Sequence, residues 1–597
     1  MRRWLRALAL LLAAGTLAGQ AAGQGSGQPG YWPPEKVAAV LSRTEPIRLA
    51  PDLSQLTAGE RRAVDALIAA GRVIQDLYED TLHPEALAVR ARLTAGRTGL
   101  PAQANRDLLT LYRLFGGPMG TTADGAVEPF APVSQPGDGR NVYPAGIERT
   151  EIDAFLTAHP EDADTLLAER TVVRRATTAS LKADRKALAD PTLRTLHPAV
   201  ARQLEVLARR PDPARLYAVP QAVAWAGPLR KVYAHLLEAA DALEHDDADF
   251  AGYLRNRARD LLTNNYESGD AAWVTGRFRH LNASIGSYES YRDGLYGAKA
   301  FPELSLLLAD DAATRELRTR IRSLQAVEDA LPYDHHKRIR EDIPVGVYDI
   351  IADFGHARGT NTATILPNNP THTRRYGRTI LLRRNILEDP GLNALELTRW
   401  QAAVAAPHAG DLTPAGGFQR TLWHEIGHYL GVDRDRQGRA LDVALGEYSD
   451  SLEEMKADLV SLFTIGAQAQ AGAVTPAGLR EAQASGIMRT LLLTEPRRNQ
   501  PYGRMQLAQF NYFRDRGLIE MDATGRVRVH HERYPATVTA MLREVLALQY
   551  EGDQAAAAAF FTKWTAWTPE LHQRLATAMR GTQGLRFRLM RYAALGE

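Results

Sequence analysis

Thr421-Leu422-Trp423-His424-Glu425-Ile426-Gly427-His428-Tyr429-Leu430-Gly431 reads as the last turns of an amphipathic helix. Leu422, Ile426 and Leu430 share one apolar side, and Gly431 is a natural stop. His424 and His428 fall one turn apart on a common face, where both imidazoles can reach a single zinc ion. Glu425 lies between them, placed to take a proton from a metal-bound water. A two-histidine site still needs a third ligand, and 26 residues after His428 the chain offers Glu454 within Glu453-Glu454-Met455-Lys456-Ala457-Asp458. That separation leaves room for a turn and an antiparallel helix. On it Leu452, Met455, Leu459 and Leu462 form the buried stripe, and Glu454 and Asp458 share a face. A competing explanation exists, because Ser451-Leu452-Glu453-Glu454 also fits a helix-capping box. The whole pattern points to a catalytic zinc site with His424, His428 and Glu454 as ligands and Glu425 as base. Glu453 and Asp458 would accept the remaining imidazole N–H groups.

Composition limits the alternatives. At 597 residues the chain exceeds one compact core, which predicts two lobes. Hydrophobic residues at 45% and charged residues at 24% are those of an ordinary globular protein. A formal charge of +2 gives no reason to expect nucleic acid or an anionic membrane as partner. The arginines at 374, 375, 378, 383 and 384 read as a solvated face. With no cysteine, thiolate metal sites, disulfides and thiol nucleophiles are excluded, so any metal rests on His and carboxylate. The remaining histidines, among them His335, His336, His356, His372, His408, His530 and His531, read as surface or hydrogen-bonded structural residues.

The N-terminus predicts export. Basic Met1 to Arg6, an uncharged Ala/Leu run from Ala7 to Gly19 and small residues Ala21 to Gly23 have the form of a signal peptide over 1–23. The apolar run is too short to span a bilayer, and no later stretch is long enough, so stable membrane insertion is not expected. Residues 24–34 are Gly/Pro-rich and read as a flexible leader. Helical spacing from Glu35 to Phe115 and from Ile147 to Leu262 surrounds a Gly/Pro-dense segment, 116–146. Three strands are expected at 345–351, 362–366 and 379–382. The fold expected is mainly α with a minor β part. A mostly helical N-terminal lobe spans 35–310, and a zinc-site lobe spans 311–597, with a strand-rich insert at about 343–387.

The HExxH segment paired with Glu453-Glu454-x-Lys456-Ala457-Asp458 resembles the dipeptidyl peptidase III family of zinc metallopeptidases. The five-residue form of the first motif is similar to its bacterial, exported branch. The resemblance implies a two-lobed enzyme with a substrate cleft between lobes and one zinc per chain. It implies oligopeptide substrates that lose dipeptides from the N-terminus. Tyr288-Glu289-Ser290-Tyr291-Arg292-Asp293 resembles a family segment in which the acid, here Glu289, holds the substrate amino group. The tyrosine, here Tyr291, donates to the developing oxyanion. Leu366-Pro367-Asn368 is similar to a strand motif that binds the peptide backbone, with Asn368 matching and Ile365 standing where another asparagine is expected. Asn141-Val142-Tyr143-Pro144 and Val172-Val173-Arg174-Arg175 also resemble segments of the bacterial branch. The family's later catalytic histidine has no counterpart: around Gly503 to Ala508 the nearest donors are Arg504 and Gln506. Two alternatives stand beside this reading. One is a zinc hydrolase of another amide; the other is a zinc-dependent peptide-binding protein with weak catalysis.

Overall fold

The computed structural model describes residues 30–321, 324–339, 344–359, 362–496, 500–581 and 586–597. The expected signal peptide and most of the leader lie outside these residues. The end of the expected leader is not loose: Trp32 is buried against Phe130, and Pro34 opens a helix, where its missing N–H costs nothing.

The chain is mainly α-helical with a smaller β part. Its central sheet has five strands: β1 (Leu281–Ser287), β2 (Pro302–Ala309), β3 (Val345–Gly355), β4 (Ala363–Leu366) and β5 (Thr379–Arg383), in the order β1-β2-β3-β5-β4. β3 and β5 are parallel, and the other neighbours are antiparallel, with Ile285 opposite Leu304 and Ile380 opposite Ile365. All seven residues of β1 are buried. β2 is buried up to its last residue, so the polar residues that alternate with apolar ones in these strands, Asn282, Ser284, Glu303 and Ser305, lie inside the protein.

Two apolar cores flank this sheet, giving the two lobes. Leu67, Leu236, Phe250, Leu304 and Tyr592 belong to one, and Trp423, Ile426, Met455, Tyr512 and Leu542 to the other. β3 crosses between them: Val345 and Val347 pack in the second core, Ile350, Ile351 and Phe354 in the first. The strand-rich stretch is therefore part of a sheet begun by β1 and β2, not an insert confined to one lobe. Further strands interrupt the segments expected to be helical. Thr44–Leu49 pairs in parallel with Phe587–Tyr592, joining the two ends of the chain, and Thr171–Ala176 pairs with Asp212–Pro220. The arginine run is not one solvated face either. Arg383 is fully buried and donates to Thr364, and Arg384 pairs with Asp310 and Asp349.

Candidate active site

The site forms where two helices cross, α1 (Pro414–Gly427) and α2 (Ser449–Gln470). Thr413 caps α1 by accepting from Gly416 N–H, with Pro414 at the first helical position. Leu422, Trp423, Ile426 and Leu430 are buried, as are Leu452, Met455, Leu459 and Leu462 on α2. Gly427 is the close-approach residue: a Cβ there would stand 2.9 Å from Ala457 Cα and from its carbonyl oxygen. Any side chain would push the helices apart and separate His428 from α2. The capping-box alternative for Glu454 is not realised. α2 begins at Ser449, Ser451 is a buried residue within it, and Glu454 lies inside the second turn.

His424 is in α1 and His428 is its C-terminal cap, the two rings 5.0 Å apart and nearly perpendicular. His424 Nδ1 lies 2.7 Å from Asp458 Oδ1, and His428 Nδ1 lies 2.9 Å from Glu453 Oε1. A carboxylate only accepts, so both Nδ1 atoms carry the proton and both Nε2 lone pairs are left. They face Glu454 Oε2 at 3.3 and 4.0 Å. That oxygen is buried and has no hydrogen-bond partner among the described residues. Two imidazole lone pairs and one partnerless carboxylate oxygen, all within 4.8 Å of one another, form a donor set that suits zinc.

The surroundings fix the charges. Asp458 accepts from Arg489 Nε at 2.8 Å and Arg420 Nη1 at 3.3 Å, and Glu453 pairs with buried Lys456 at 2.9 Å. Burial opposes ionisation of Glu453, Glu454 and Asp458. For Glu453 and Asp458 the cations facing them prevail, led by Lys456 and Arg489 respectively, and hold both carboxyls below their usual range. Glu425 is partly exposed on α1, one residue from His424.

The other lobe reaches the same place. Tyr291, past the end of β1, is exposed and stacks near His356. Its ring lies 6.4 Å from that of Tyr502, whose hydroxyl donates to Glu454 Oε1 at 2.9 Å. Burial and then the neighbouring Glu303 push Glu289 up to about 7. Asn368 is exposed just beyond β4, an outer strand that packs on α1. Tyr502 carries no signal in the sequence and stands just before Gly503 to Ala508, where the resemblance leads one to expect a histidine. Arg504, two residues on, turns instead to the Glu447 carbonyl and the Tyr448 ring.

A second histidine cluster appears only in the structure. His408, Asp411 and His531 also place ligand-type atoms within 4.8 Å, but Val529 N–H donates to His408 Nε2 at 3.1 Å. Its other nitrogen therefore carries the proton, facing Asp411 at 3.3 Å, and His408 has no lone pair left for a metal, whereas His531, with Nδ1 on Gln483 Oε1, keeps one at Nε2.

Lobes, sheet and cluster define a two-lobed, mainly helical protein with a His/His/Glu cluster that could hold a metal ion. The fold is that of solved structures of dipeptidyl peptidase III. The structure from Caldithrix abyssi superposes with a TM-score of 0.75 at 23% identity, covering 94% of this chain and 99% of that one. The structure from Corallococcus sp. strain EGB gives the same score and identity, covering 94% and 97%. By sequence the chain is similar to Nudix hydrolase 3 of Arabidopsis thaliana, 24% identical over 579 residues, which is 90% of this chain and 72% of that protein. No family model matches the chain.

Proposed function

We propose that this chain is an exported, zinc-dependent peptidase of the dipeptidyl peptidase III kind, which hydrolyses peptide bonds near the N-terminus of oligopeptides. The observation that carries the reading is the partnerless Glu454 Oε2 facing two imidazoles whose outer nitrogens are anchored by Asp458 and Glu453. His424, His428 and Glu454 hold one zinc per chain, which supplies Lewis acidity towards a carbonyl and a water. Glu425 takes a proton from the attacking water as its oxygen adds to the scissile carbonyl carbon. It returns that proton to the amine as the C–N bond breaks. Asp458 and Glu453 keep the imidazoles in the tautomer that leaves Nε2 free. Tyr291 donates its O–H to the oxyanion. Glu289 receives the substrate ammonium, and Asn368 with outer strand β4 pairs with the peptide backbone.

Export rests on the basic and apolar pattern of residues 1–23. Among the described residues no helix is long and apolar enough to cross a membrane. The lobes proposed are residues 35–310 and 311–597, sharing the central sheet. Near-neutral charge offers nothing to attract nucleic acid.

The test is mass spectrometry of products from mixed oligopeptides, with zinc-loaded wild type and Glu425→Ala side by side. Wild type is expected to remove N-terminal dipeptides in succession. Glu425→Ala should keep its zinc and be about 10²- to 10⁴-fold slower, the range of a lost general base. Zinc bound in both proteins with cleavage by neither would overturn the reading in favour of a peptide-binding protein.

A further inference from the structure

The geometry points to Tyr502 as a positioning residue for Glu454: its hydroxyl ties up one carboxylate oxygen so that the other is held facing His424 and His428. The inference rests on the zinc reading above and extends it to a residue just before Gly503 to Ala508, where the resemblance leads one to expect a histidine.

A glutamate ligand has two equivalent oxygens and a freely turning terminal torsion, so its position on α2 alone does not decide which oxygen, or both, a metal meets. Here the choice is made. Oε1 accepts from Tyr502 O–H at 2.9 Å, and Oε2 is the buried atom without a hydrogen bond. The phenol is itself braced. The Arg489 guanidinium lies 5.5 Å from the centre of its ring, and Arg489 Nε is fixed on Asp458 Oδ2 at 2.8 Å. Asp458 is also the partner of His424 Nδ1. Two ligands, His424 and Glu454, are thus oriented through one connected set of side chains: Asp458, Arg489 and Tyr502. Tyr502 reaches the set from the first turn of the helix Pro501–Asp515, while Arg504 on that helix turns to Glu447. On its other side Tyr502 meets Tyr291, the rings 6.4 Å apart at 57° and the side chains hydrogen-bonded to each other. Tyr291 therefore serves as a control that shares the ring contact and the hydrogen bond between the tyrosines but not the hydrogen bond to Glu454.

Zinc dissociation constants, measured by competition with a chromophoric chelator, decide the matter for wild type, Tyr502→Phe and Tyr291→Phe. Tyr502→Phe keeps the ring and removes only the hydroxyl. It is expected to raise the zinc Kd about 10- to 100-fold, the range for losing a partner of a metal ligand. The metal-free melting temperature should stay at the wild-type value. Tyr291→Phe should leave the Kd within about twofold, while lowering kcat/KM at saturating zinc. An unchanged Kd in Tyr502→Phe overturns the inference and leaves the zinc reading intact. An equal rise in both variants overturns it too, because loosening of the shared ring contact would then be the cause. Failure of wild type to bind one zinc overturns the reading of the site and the inference with it.

Discussion

His424, His428 and Glu454 lie as close together as His408, Asp411 and His531, yet the first cluster offers a metal two imidazole lone pairs and the second only one. The difference lies one layer out. In the first, each imidazole spends its Nδ1 proton on a carboxylate that cations hold ionised, which leaves the Nε2 lone pairs converging on a bare oxygen. In the second, a backbone N–H takes the His408 Nε2 lone pair, so only His531, whose Nδ1 donates to Gln483 Oε1 at 2.6 Å, keeps its Nε2 free. Proximity of ligand-type residues is thus a poor guide to a metal site. The partners of the far nitrogens decide whether a lone pair is available.

The harshest way to break this comparison is to remove an imidazole from each cluster and count zinc by elemental analysis. His424→Ala is expected to take the bound metal from one per chain to none, because two ligands cannot close a tetrahedral site. His408→Ala is expected to leave it at one. Zinc lost from both variants, or retained by both, would show that the tautomer argument does not separate the clusters.

A milder version keeps every ligand and alters only the outer layer. Asp458→Asn removes the charge that opposes Arg489 and Arg420 and offers His424 a weaker acceptor. Zinc affinity should fall about 10- to 100-fold. Asp411→Asn makes a comparable change beside His408 and should leave affinity unchanged. Equal affinities for the two variants would mean that Asp458 does not orient His424.

Much of the first cluster was legible in the sequence because helical spacing alone puts His424 and His428 on one face, and the stripe from Leu452 to Leu462 fixes which side of α2 carries Glu454. The second cluster was not: His408 and His531 lie far apart in the chain, and only folding places them together. Tyr502 was equally hidden, since a tyrosine at a helix start carries no signal until its hydroxyl is seen on Glu454. In the fold, Val345–Ile351 and Thr379–Leu382 were readable as short β-branched or apolar runs. β1 and β2 were not: they alternate polar and apolar residues, but Leu, Ala, Ser, Asn and Gly in place of β-branched or aromatic residues carry little strand preference. Arg383 misled for a related reason. A charged residue reads as exposed, whereas here Asp353 lies close enough to stabilise its charge within the core.

The smallest expected effect concerns a group at the rim of the first cluster that has no counterpart beside the second. Burial, followed by the nearby Glu303 charge, pushes Glu289 up to about 7, against about 4.3 for an ordinary glutamate. Below pH 7 the free carboxyl is neutral and attracts a peptide ammonium weakly; above it the carboxylate is charged. The amine itself remains protonated to about pH 8. Preference for a free over an acetylated N-terminus, measured as the ratio of KM values, should therefore grow about tenfold between pH 5.5 and 7.5. In Glu289→Gln the ratio should stay flat. The same shift has a consequence for stability. Between about pH 4.3 and 7 the unfolded chain has released this proton while the folded chain keeps it, so folding is progressively disfavoured as pH rises. Glu289→Gln should then melt higher than wild type at pH 8 and alike at pH 4. A KM ratio that rises equally with pH in both proteins would remove Glu289 from substrate binding. A melting difference that survives on its own would reduce it to a buried acid that strains the fold.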